Sequence, residues 1–143
     1  MKKLLSFVVA LIGCSSSKDP APSPCADISG NYNVTANVTG GTCDPSLFKS
    51  ASAVSFAKGA GGSWSIVIAA VPGGCPGTLD EASCHFTANC EVEAPDGGSP
   101  LATFSYDLKF TGSGFTGSEV GGLHPPAVPA ACTANFQETG SKL

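Results

Sequence analysis

Ile28-Ser29-Gly30-Asn31-Tyr32-Asn33-Val34-Thr35-Ala36-Asn37-Val38 alternates without a break. Ile28, Gly30, Tyr32, Val34, Ala36 and Val38 share one face, and Ser29, Asn31, Asn33, Thr35 and Asn37 share the other. Successive side chains of a strand point to opposite sides, so a period of two with one polar face describes a half-buried antiparallel strand. The pattern recurs. Trp64, Ile66 and Ile68 alternate with Ser63, Ser65 and Val67. Cys84, Phe86, Ala88, Cys90 and Val92 alternate with His85, Thr87, Asn89, Glu91 and Glu93. Ala102, Phe104, Tyr106, Leu108 and Phe110 alternate with Thr103, Ser105, Asp107 and Lys109. Near the end, Cys132, Ala134 and Phe136 oppose Thr133, Asn135 and Gln137.

Turn chemistry separates these runs. Gly59-Ala60-Gly61-Gly62 links a strand around Val54 and Phe56 to the Trp64 strand. Asp96-Gly97-Gly98 and Gly112-Ser113-Gly114 mark reversals, because glycine supplies the positive φ of tight turns. Leu123-His124-Pro125-Pro126-Ala127-Val128-Pro129 is a loop, since proline cannot join a central ladder. No window has convincing helical periodicity. About seven or eight short strands joined mainly by short turns predict an all-β antiparallel meander. Burying one face requires a small β-barrel or, alternatively, a β-sandwich. A strand opening on Gly30-Asn31-Tyr32 and followed by a meander resembles a lipocalin-like barrel, which implies a carrier of a small apolar ligand.

The first residues concern address. Met1-Lys2-Lys3 is followed by the apolar run Leu4-Leu5-Ser6-Phe7-Val8-Val9-Ala10-Leu11-Ile12, about half the length of a spanning helix. A positive start, a short apolar run and small residues describe an export signal. Leu11-Ile12-Gly13-Cys14 resembles the lipobox of bacterial lipoproteins. That resemblance implies residues 1–13 as a signal peptide, cleavage before Cys14, and diacylglycerol on the Cys14 thiol with acylation, such as palmitate, of the new amine. Two or more acyl chains hold a protein stably on a bilayer. Ser15, in place of the aspartate that retains many such proteins at the inner membrane, implies the outer membrane. Residues 14–24 continue as a Ser- and Pro-rich tether, too polar to fold, with a reach of roughly 30 Å. Residues 25–143 suffice for a single β domain.

The chain holds seven cysteines. Setting aside Cys14 leaves Cys25, Cys43, Cys75, Cys84, Cys90 and Cys132, an even number that reads as three disulfides in an exported protein. Connectivity is open at this level. Antiparallel pairing of the first and last strands would put Cys43 and Cys132 at one end, which favours that bridge, and Cys75 with Cys84 could staple a hairpin. Structural zinc spacing is absent and only His85 and His124 offer imidazoles, so no metal is expected.

Charge narrows the partners. The formal net charge is −4, and setting aside Lys2 and Lys3 makes it −6, with no arginine in the chain. Nucleic acid is excluded as a partner for want of a basic face. No Asp-x-Asp-x-Asp-Gly loop or Gly-Lys-Ser phosphate motif appears, and no cofactor is expected. Cys84 and His85 cannot act together because strand neighbours face opposite ways. His85 reads as a solvated strand residue, His124 as loop surface, Asp80-Glu81 as a turn, and Glu91 with Glu93 as part of a polar face. Asn33 and Asn37 head glycosylation sequons that arise from the alternation itself. Tyr32, Trp64, Phe86, Phe104 and Tyr106 face inward and are the candidates to line a ligand cavity, against the default of a filled core. The expectation is a non-enzymatic envelope lipoprotein with a binding or structural role. It would touch the membrane through its lipid and meet an envelope protein through loops at 44–50 and 123–129, or carry a small apolar ligand inside.

Overall fold

The alternation at 28–38 becomes the first strand of a closed eight-stranded barrel in the computed structural model, which describes Cys25 and residues 27–48 and 52–143. The expected signal peptide at residues 1–13, Cys14 and the expected tether at residues 14–24 lie outside the described residues. The strands are β1 (Gly30–Gly41), β2 (Ala53–Lys58), β3 (Trp64–Ile68), β4 (Val71–Asp80), β5 (His85–Val92), β6 (Ala102–Thr111), β7 (Gly114–Leu123) and β8 (Cys132–Lys142). Each pairs antiparallel with its neighbour in sequence, and β8 returns to β1 with Tyr32 opposite Lys142. That last pairing decides between the two architectures. A sandwich would leave β1 and β8 as edges, whereas closure gives both a partner and removes the edges that invite aggregation.

The inward faces are those the alternation marks. Tyr32, Phe56, Trp64, Ile66, Phe86, Tyr106, Leu108, Phe110 and Phe115 are all buried. Their sizes are unevenly distributed along the barrel axis. One end collects Tyr32, Phe56, Phe86, Phe110 and Phe115, whose rings meet mostly edge to face at centroid distances such as 5.3 Å for Tyr32–Phe56 and 5.0 Å for Phe56–Phe110. Such pairs each add about 0.5–1.5 kcal/mol beyond area burial. The Tyr32 hydroxyl donates to the Ile28 carbonyl at 3.0 Å, which satisfies its one buried polar atom. Gly140 makes room for this plug, since a Cβ there would overlap the Phe115 ring. This is the closed end of the barrel. It also carries the β2–β3, β4–β5 and β6–β7 turns and the segment before β1.

Three disulfides staple the barrel. Cys43–Cys132 joins the connection after β1 to the start of β8 at the other end, as antiparallel pairing of those strands requires. The hairpin staple Cys75–Cys84 does not form. Cys75 instead bonds Cys90, and Cys84 bonds Cys25. The β4–β5 register explains the correction. Gly77 stands opposite Ala88, so two residues further along Cys75 faces Cys90 across the same pair of strands, and both point inward. Cys84 sits in the turn at the closed end with φ of 58°, where it meets Cys25 ahead of β1.

Candidate functional site

At the opposite end the inward residues are small. Ala36 on β1 and Ala69 and Ala70 in the β3–β4 turn leave space where the other end holds rings. The result is a cavity of about 710 Å³. Apolar walls come from Val54, Ile68, Phe104, Leu123 and Phe136. Leu47 and Phe48 reach in from the connection between β1 and β2.

That connection is built to hold Phe48 in place. Asp44 accepts from the Ser46 amide at 2.9 Å and so starts a short 3-10 turn, Pro45–Leu47. The same bonds hold the Asp44 carboxyl below its usual range. The Thr42 and Cys43 amides both donate to the Thr133 carbonyl, at 2.7 and 2.9 Å, beside the Cys43–Cys132 bridge. Phe48 then lies edge-on to Phe136 with centroids 5.5 Å apart. It occupies the space above Gly121, where a Cβ would strike its ring.

Three polar groups line the cavity wall on adjacent strands. Tyr106 on β6 is the direct cross-strand partner of Glu119 on β7. Glu119 is the partner of Phe136 on β8, so Glu138 lies one diagonal step away on the same face. Diagonal neighbours are within reach of long side chains. Glu119 hydrogen-bonds both the Glu138 carboxyl and the Tyr106 phenol. Glu138 is only 5% exposed. Burial pushes its carboxyl up to about 9, and the hydrogen bond and negative charge of Glu119 push the same way. Burial likewise drives the Tyr106 phenol upward, reinforced by the charges of Glu119 and Glu138. Near neutral pH Glu138 is therefore a neutral acid that can donate to Glu119.

No lysine lines the cavity among the described residues, and the chain has no arginine. Lys58 lies over the Trp64 ring and 3.8 Å from Glu81, and Lys142 donates to the Asp27 carbonyl. Both serve the closed end. Among the described residues, the carboxyl pair thus has no counter-cation in the cavity lining.

Of the five aromatic candidates, Phe104 and Tyr106 line the cavity, whereas Tyr32, Trp64 and Phe86 belong to the packed core. His85 sits on the outer face with Nε2 2.7 Å from Asp107 Oδ1. Glu91 and Glu93 are exposed on the outside. Asp80 accepts from the Ala82 amide and the Ser83 hydroxyl within the β4–β5 turn. His124 begins the β7–β8 loop, its amide donating to the Leu101 carbonyl. The loop at 44–50 contributes Leu47 and Phe48 to the cavity, and its residues 49 and 50 lie outside the described residues.

Sequence reasoning missed Glu119 and Glu138. A signal for Glu138 existed, because one further step in the series Cys132, Ala134, Phe136 lands on it. Glu119 was harder to find, since its neighbours on the inward face, Gly117 and Gly121, carry no apolar side chain to show the period. No protein-family model, curated protein or solved structure matches the chain.

Proposed function

We propose that this protein is a lipid-anchored binding protein of the bacterial envelope that holds a small, largely apolar ligand in the open end of its barrel. The cavity carries this reading. Its volume of about 710 Å³ falls in the usual range for small-molecule sites, and mostly apolar walls with a few convergent polar groups are the usual lining. The lipobox at Leu11-Ile12-Gly13-Cys14 supports the address, and three disulfides fit an oxidising compartment.

The two features combine sensibly in space. Cys25, where the tether joins the barrel, is bonded to Cys84 at the closed end. A lipid on Cys14 would therefore pull on the end opposite the cavity mouth, leaving the mouth turned away from the bilayer. The role is binding, without a reaction.

Two variants test the proposal. Cys14→Ala is expected to move the protein from the detergent phase to the aqueous phase while it still binds the neutral apolar fluorophore N-phenylnaphthylamine with blue-shifted emission. Adding Ala36→Trp, which places an indole in the cavity, is expected to abolish that emission without changing the circular dichroism. Detergent partition that survives Cys14→Ala removes the lipid anchor from the reading. Fluorophore binding untouched by Ala36→Trp removes the cavity.

A further inference from the structure

The cavity is mostly apolar, with its ionisable groups gathered on one side, where Glu138, Glu119 and Tyr106 meet. We infer that its ligand is an organic cation: an ammonium group seated against Glu119 and Glu138, with an apolar body filling the space between Phe104, Ile68 and Phe136. This rests on the cavity being a ligand site and names the chemical class that the site selects.

Charge balance is the first argument. Burying ionisable acids is unfavourable unless something opposite in sign is nearby. Here two glutamates share one wall, and the other polar residues among the described lining are a phenol, Tyr106, and a hydroxyl, Ser52, neither of which carries positive charge. A structural ion pair would have supplied a lysine, but the described lysines lie elsewhere. In the absence of a cation the pair manages by keeping a proton on Glu138, which donates to Glu119. An ammonium does the same work better, because it brings a full positive charge and up to three N–H donors to four carboxyl oxygens.

The geometry argues for an organic cation over a metal ion. Among the described residues no three His, Cys, Asp or Glu side chains converge as a ligand set, and a hard divalent cation needs six or more oxygens in about this space. The remaining walls are aliphatic and aromatic, which suit a hydrocarbon body and offer nothing to a hydrated ion. An anionic ligand, such as a fatty acid carboxylate, would meet a like charge at Glu119.

Proton balance follows. When the ammonium arrives, Glu138 gives up its proton to solvent, and the ammonium's N–H groups replace it between the two carboxylates. Glu119 and Tyr106 are the titratable groups facing Glu138 from β7 and β6. The cavity residues on β1, β2 and β3 are Ala36, Ala53, Val54 and Ile68, and none of them titrates. Apparent affinity for the ammonium should accordingly rise between pH 5 and pH 8 as the competing proton becomes scarcer, while a neutral ligand of the same shape should show no such rise.

The test uses the full chain carrying Cys14→Ala, titrated with dansylcadaverine, a primary ammonium on an apolar fluorophore, and with its uncharged N-acetyl derivative. The ammonium is expected to bind about tenfold or more tightly than the derivative at pH 7.5, the scale of one charge-assisted contact in a dry site. Glu119→Gln together with Glu138→Gln is expected to bring the two probes within about twofold of each other. Equal affinity of both probes for the unaltered cavity overturns the cation inference and leaves the carrier reading standing, as does tighter binding of dansylundecanoate. Failure of every probe, including N-phenylnaphthylamine, overturns the carrier reading itself. Should the double variant not fold, the ranking of the three dansyl probes on the unaltered cavity still decides.

Discussion

Replacing Cys43 and Cys132 together by alanine is expected to lower the unfolding free energy by about 4–5 kcal/mol. The bridge closes a sequence separation of 89 residues, the longest of the three, against 59 for Cys25–Cys84 and 15 for Cys75–Cys90. Cross-linking distant residues removes freedom from the denatured chain, and the gain grows slowly with loop length. The other two bridges provide shorter routes between the same points, but the logarithm is forgiving and the loss stays near 4 kcal/mol. A domain of this size is stable by about 5–15 kcal/mol, so one bridge accounts for a large share of the total. Urea unfolding of both proteins at one pH gives the difference. A loss below about 1 kcal/mol would mean that the denatured chain is already held compact without this bridge. Binding gives a second readout. The bridge anchors the segment that presents Leu47 and Phe48 to the cavity, so the variant should weaken N-phenylnaphthylamine binding even under conditions where the barrel remains folded.

The same bridge shows what could be seen in the sequence. β1 and β8 carry clean alternation, so an antiparallel pairing between them could be supposed from pattern, and that supposition favoured Cys43–Cys132, the bridge that forms. β4 was invisible. Val71-Pro72-Gly73-Gly74-Cys75-Pro76-Gly77 reads as punctuation, because proline lacks the ladder donor and glycine weakens strands. It forms a strand because barrel closure gives it partners on both sides, with a register shift against β3 between Ile66 and Ile68 absorbing the irregularity. Missing β4 meant missing Cys75 opposite Cys90. β7 was hidden for a related reason. Its inward positions are Phe115, Gly117, Glu119 and Gly121, a face whose period is written in small and acidic residues. The polar wall of the cavity therefore lay where hydrophobic periodicity has least to report. Phe104 and Tyr106 were named as lining residues because they stand on the regular strand β6. Which aromatic residues fill the barrel and which border its space depends on the size of the residues opposite them, and that is set only when the eight strands close.

The buried carboxyl makes stability fall with rising pH over a range where most proteins are indifferent. In the unfolded chain Glu138 titrates near its ordinary value of 4.5, and in the barrel its carboxyl is pushed up to about 9. Between those limits the folded protein binds a proton that the unfolded chain does not. Stability therefore declines as pH rises, by up to about 1.4 kcal/mol per pH unit for one proton, and the slope vanishes below the lower limit and above the upper one. Asp27, Asp44 and Asp80 act in the opposite direction. Each is held below its usual range by bonds from nearby serine or alanine groups, so each stabilises above the ordinary carboxylate range and loses that contribution as acid protonates it. Together these groups move the stability maximum to the acid side of neutrality. Thermal midpoints measured from pH 4 to 9 should fall steadily on the alkaline side, and Glu138→Gln should flatten that side, since the amide can still donate to Glu119 but cannot ionise. Parallel curves for the two proteins would place the titrating group elsewhere. An ammonium ligand couples to the same proton. Because it favours the ionised pair, it should raise the thermal midpoint more at pH 8 than at pH 5. In Glu138→Gln, where no proton is left to displace, that difference between the two pH values should disappear.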